Sequence, residues 1–143
     1  MRPEANIVFE TKHLPVKADV VAPDGSEVRV LLGLSGGGLA QFSLAAGETS
    51  VAVRHRTVEE IWYVISGQGQ MWRRLGGDEG TVALSAGDCL TIPVGAHFQF
   101  RALGRQPLVA IGVTMPPWPG DGEAIECEGP WAPTLPAGPG LSR

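Results

Sequence analysis

Two side chains able to move a proton, His55 and Glu60, stand five positions apart in the run GETSVAVRHRTVEEIWYVISG, residues 47–67. A histidine facing a carboxylate is a general base near neutral pH. Either the carboxylate orients the imidazole or it takes the proton itself. Both residue types also bind divalent metals, so a second chemistry is open to them. The surrounding pattern says how they could meet. Val51, Val53 and His55 alternate with Ala52, Arg54 and Arg56 at the period of a half-buried strand. A polar corner at 56–59 leads to a second run that is apolar on both parities. Trp62 and Val64 share one face with Glu60, while Ile61, Tyr63 and Ile65 share the other. Such a strand is expected to be covered on both faces. The plainer reading makes His55 a hydrogen-bonded core residue and pairs Glu60 with Arg54, Arg56 or Arg73. That pairing matters, because a carboxylate buried beside Trp62 costs free energy unless it is satisfied.

The rest of the chain supplies the elements that must position this pair. It has 143 residues, 43% hydrophobic and 18% charged, which suits one globular domain with its own core. Twenty glycines and twelve prolines favour short strands and turns, and no window carries a helical stripe. Strands are expected at 27–34, 39–44, 51–55, 60–65, 70–75, 80–84, 89–92, 97–103 and 107–114, with turn residues between them. Cys89 is expected in the core. This spacing is that of an all-β sandwich or small barrel. Three segments follow: an N-terminal arm at 1–25 with turns at Pro3 and Asp24-Gly25, a barrel at 26–115, and a Pro/Gly-rich C-terminal arm at 116–143. Trp118 and Trp131 in that last arm suit docking on the barrel or on a neighbour. The net charge of -4 argues against a nucleic-acid partner. The first residues lack the apolar run of a signal peptide and nothing reaches the length of a membrane span, so the cytoplasm is the expected location. Cys89 and Cys127 have no metal-ligand spacing and are expected to be free thiols.

Two gapless patterns then carry a resemblance. Gly47, His55, Glu60 and Gly67 match G-x5-H-x-H-x(3,4)-E-x6-G, and Gly87, Pro93 and Gly95 match G-x5-P-x-G-x2-H-x3-N. The chain therefore resembles the cupin superfamily, whose fold is a double-stranded β-helix, over residues 47–102. The resemblance implies a lumen into which the motif residues point. It also implies four metal-ligand positions, of which His55 and Glu60 are present. Val53 and Phe98 stand where the family has histidines, and Ala102 where it has asparagine. His97 adjoins the vacated position, but one step along a strand reverses the face. A metal site made of His55, Glu60 and His97 would need a bulge near Ala96, or help from Gln41 or Gln70.

The reading that follows is a small-molecule pocket around His55 and Glu60, lined by Val53, Trp62, Trp72, Phe98, Phe100 and Gln41. Its first function is proton transfer by an isomerase, cyclase or lyase, with no cofactor. The alternatives are a non-haem oxygenase using Mn, Fe, Ni or Zn, and a ligand-binding cupin without chemistry. A homodimer is expected, because Ile61, Tyr63 and Ile65 are too apolar to face water.

Overall fold

The alternating strands pair into two antiparallel sheets that face each other across one core. The computed structural model describes residues 8–143, and among them it contains strands and turns but no helix. No helix is therefore long and apolar enough to cross a membrane. The start of the N-terminal arm, including Pro3, lies outside the described residues. One sheet runs in the order β1 (Val20–Val21), β2 (Glu27–Leu34), β3 (Gly37–Leu44), β10 (Leu108–Met115), β5 (Glu59–Ser66) and β8 (Cys89–Ile92). The other runs β11 (Ala124–Glu126), β4 (Val53–His55), β9 (His97–Leu103), β6 (Gln68–Leu75) and β7 (Asp78–Ser85). This is the expected all-β double-stranded β-helix.

The period-2 pattern fixes which residues fill the space between the sheets. On β5, Glu60, Trp62 and Val64 point inward and are buried. Phe98, Phe100 and Ala102 on β9 meet them from the other sheet, with Leu44, Met71, Leu108 and Ala110 completing the core. Two glycines are required by close approach. Gly67 turns β5 into β6 at φ 83°, and a Cβ there would stand 2.1 Å from the Pro107 carbonyl oxygen. Gly112 on β10 leaves room for the Phe42–Trp62 stack, since a Cβ would come within 2.6 Å of Phe42.

Among the described residues the outer face of β5 stays open: Ile61, Tyr63 and Ile65 are 47%, 50% and 40% exposed. One expectation is corrected here: Cys89 is exposed, because the parity of β8 turns Leu90 and Ile92 inward. The terminal segments contribute strands of their own. β1 pairs with β2, and the Arg29 side chain donates to the carbonyls of Pro15 and Val16 at 2.9 Å each. At the other end β11 pairs with β4. The buried Gln99 amide donates to the Ser50 and Trp131 carbonyls at 2.8 Å each, and Arg101 lies 4.1 Å from the Trp131 ring centroid. Trp131 thus docks on the barrel itself.

Candidate functional site

His55 ends β4 in one sheet and Glu60 stands near the start of β5 in the other, so the corner between them joins the two sheets. Both side chains point into the lumen and are 5% and 4% exposed. His55 Nδ1 lies 3.0 Å from Glu60 Oε2. The ring N–H direction misses the carboxylate, so Nδ1 is close enough to pair by charge yet has no aligned hydrogen bond. Glu60 Oε1 accepts from Trp62 Nε1 at 2.8 Å. The arginines weighed as partners for Glu60 go elsewhere: Arg56 to the Gly122 carbonyl and Arg73 to that of Thr91.

The corner is held by a residue that sequence reasoning missed. Glu123, just before β11, is buried, and its Oε2 accepts the Thr57 and Val58 backbone N–H groups at 2.8 and 2.9 Å. Its Oε1 accepts from Thr57 Oγ1 at 2.7 Å. Burial pushes the Glu123 carboxyl up, but the bonds from Thr57 and Val58, aided by His55, outweigh it and leave it lowered. Its stabilising effect is therefore present above the ordinary value of 4.5 and is lost as pH falls through the lowered one. Glu123→Ala is expected to cost about 2–3 kcal/mol at pH 7, because it strands two N–H groups. Urea unfolding at pH 7 and at pH 3 measures this, and the gap between variant and wild type should narrow in acid.

Around the pair lies a mostly apolar cavity of about 560 Å³. His55, Glu60, Val53, Trp62 and Phe98 all line it, as expected. Phe98 meets the His55 ring edge-on at 5.2 Å between centroids, and Trp62 stacks on Phe42 at 5.0 Å. Trp118, from the C-terminal segment, closes on His55 edge-on at 4.9 Å and remains 37% exposed. The N-terminal segment contributes Asp24, which is also buried. Neither Trp118 nor Asp24 was assigned to the pocket from sequence. An Asp-Gly pair and a proline-rich tail read as turns and arm, and only packing brings them to the lumen.

Three expected lining residues lie elsewhere. Gln41 faces the outer side of β3, in a separate groove that also holds Arg29 and Glu48. Trp72 turns to the outer face of its sheet, where Nε1 donates to Glu79 Oε2 at 2.9 Å. Phe100 is core: its ring meets Trp62 edge-on at 4.9 Å and lies behind the cavity wall.

The metal reading fares the same way. His97 points out from β9, with Nδ1 3.2 Å from Arg74 Nη2, and does not line the cavity. Burial, then Arg74 and Arg54, lower its pKa, so the ring is neutral and free to accept from Arg74. No bulge rescues it, because β9 pairs in unbroken register with β6 from Gln68↔Leu103 to Arg74↔His97. Gln70 accepts from Arg101 Nε at 2.9 Å and is no donor for the lumen. Among the described residues no three His, Cys, Asp or Glu side chains cluster closely enough to hold an ion. Val53 and Phe98, paired directly across β4 and β9, wall the place where further ligands would stand. The donor set of His55 and Glu60 does not fit a resident divalent metal.

Sequence comparison now agrees with the geometry. The model of the cupin domain family matches residues 40–114, just over half of the chain. The chain belongs to the cupin family. No curated protein sequence matches this cupin significantly. Its fold is similar to that of KdgF from Halomonas sp., at 18% identity and TM-score 0.59 over 70% of this chain and 87% of that one. It is also similar to oxalate oxidase, at 19% identity and TM-score 0.63 over 79% and 63% of the two chains. A third likeness is to Bacillus subtilis oxalate decarboxylase, a protein with Mn(II) centres, at 18% identity and TM-score 0.57. That match covers 71% of this cupin but only 27% of the decarboxylase chain. At these identities the likeness is one of fold.

Proposed function

We propose that this cupin binds an uncharged small molecule in its lumen and moves a proton on it, as an isomerase, cyclase or lyase. His55 is the base, and Glu60 holds it and balances the imidazolium that forms. The observation that carries this reading is the buried pair at the wall of an apolar cavity. Nδ1 faces Glu60, which leaves Nε2 for a ligand. Trp62 binds the second carboxylate oxygen and keeps Glu60 from rotating away. The charge of the cavity supports an uncharged substrate. Among the described residues no lysine or arginine lines it, so a dianion such as oxalate would be buried without a counterion.

Proton transfer can be read without knowing the natural substrate. Uncharged metabolites that raise the melting temperature are incubated with the protein in D2O and followed by NMR. At least one is expected to take up solvent deuterium or change structure. Glu60→Gln, which keeps the Trp62 bond, is expected to slow this by about a hundredfold or more. If compounds bind tightly yet emerge unlabelled and unchanged, the protein is instead a ligand-binding cupin. Trp118 packed edge-on against His55 would suit that second reading.

The same cupin is proposed to be a homodimer. The exposed Ile61, Tyr63 and Ile65 stripe lies on one sheet face, and burying it between two copies would remove apolar surface from water. Light scattering at micromolar concentration is expected to give twice the chain mass, and a strictly monomeric mass sinks the idea.

A further inference from the structure

A third ionisable group reaches the cavity from outside both family motifs. Asp24 sits in the turn between β1 and β2 and lines the cavity with His55 and Glu60. It is 7% exposed. Its Oδ1 accepts from the Ser26 N–H at 2.9 Å and from Ser26 Oγ at 2.6 Å, which leaves Oδ2 for a ligand. Its backbone carbonyl accepts from the Val51 N–H at 2.8 Å, tying it to the segment that leads into β4. An asparagine would accept the same two Ser26 bonds without the cost of burying an acid. The neighbouring His55 also keeps a buried nitrogen, Nδ1, without an aligned hydrogen bond. Two costly groups facing one apolar cavity suit a site built for a ligand.

We propose that Asp24 is the acid of the site: its Oδ2 donates a proton to a carbonyl oxygen of the bound molecule while His55 Nε2 takes one from the adjacent carbon. The inference rests on the proton-transfer reading above and names its substrate class, an uncharged enolisable ketone or aldehyde. In the step, the C–H bond breaks and its electron pair becomes the new C=C bond. The carbonyl π pair takes the proton from Asp24, giving an enol, a protonated His55 and an ionised Asp24. Return of a proton to carbon and of the hydroxyl proton to Asp24 regenerates a carbonyl compound. No oxidant or reductant is needed.

The surroundings of Asp24 favour the form the step requires. Burial raises its pKa, against the Ser26 bonds and the charge of His55, with Glu60 adding to the rise. The ionisable groups that face it are His55 on β4 and Glu60 on β5, and Asp121 lines the same cavity from the C-terminal segment. A carboxyl whose pKa is raised on folding stabilises the protein below its ordinary value of 3.8, and that contribution is lost as pH rises through the raised value. At neutral pH it is therefore a net burden.

The test follows deuterium exchange into 2-tetralone, a flat uncharged ketone, in D2O by proton NMR, using wild type, Asp24→Asn and Glu60→Gln. Wild type is expected to exceed buffer. Asp24→Asn is expected to lose about a hundredfold in kcat with KM little changed. Its melting temperature at pH 7 should rise, the gain disappearing below pH 3.8. If Asp24→Asn exchanges at the wild-type rate while Glu60→Gln is inactive, the Asp24 inference is overturned and the base reading stands. If wild type does not exceed buffer, both fall. A lower melting temperature for Asp24→Asn would mark the residue as a structural anchor and also overturn the proposal.

Discussion

Replacing Val53 and Phe98 together by histidine should convert a protein that keeps little metal after dialysis into one that keeps about one Mn, Fe, Ni or Zn ion per chain. Val53 and Phe98 are direct partners across β4 and β9, and both line the cavity beside His55 and Glu60. Histidines at those two positions would join His55 and Glu60 around one point, giving three nitrogens and an oxygen. The effect is large because wild type offers two donors and the double variant four. Burying two imidazoles where Val53 and Phe98 are now 1% exposed should lower stability without metal. Adding metal should restore it, since an ion that binds only the folded state stabilises it. Elemental analysis of wild type, the double variant and His97→Ala measures the metal content, and thermal melts with and without metal measure the stability. Stoichiometric metal in wild type that is released by His97→Ala would show that His97 reaches the lumen after all.

That outcome bears on how much of the site was legible in the sequence. Motif spacing located His55 and Glu60, because a fixed count of residues between two strands of known parity leaves their side chains one common face. The same parity turned His97 outward, and the register of β9 with β6 agrees. Strand parity could not place Trp72 or Gln41. Parity says only that Met71 and Trp72 face opposite ways, and here both are buried: Met71 in the core, Trp72 on the outer face of its sheet. The apolar outer face of β5 was legible as a feature, yet what covers it is not set within one chain. Asp24, Trp118 and Glu123 were invisible for a different reason. Each lies in a terminal segment whose local sequence reads as turn or arm, and each acquires its role from contacts with β4 or the segments flanking it, far away in the chain. Local propensity carries no information about such contacts.

Trp62→Ala should be among the most destabilising single changes in the chain, at about 3–5 kcal/mol. The indole is 2% exposed and packs against three aromatic neighbours. It stacks on Phe42 at 5.0 Å and meets Phe98 and Phe100 edge-on at 6.3 and 4.9 Å. Gly112 on β10 is small so that this ring can fit, so the neighbouring backbone cannot close the hole with a side chain of its own. Truncation also removes the donor to Glu60 Oε1, leaving a buried carboxylate with His55 alone. Against a total of about 5–15 kcal/mol for a domain, the loss would lower the melting temperature steeply. Trp62→Phe separates the two causes. It keeps most of the packing and drops only the Nε1 donor, so it should cost much less, about 1–3 kcal/mol. Urea denaturation of both variants at pH 7 gives the comparison. If Trp62→Phe costs nothing measurable, the indole serves shape alone and its bond does not hold Glu60 in place.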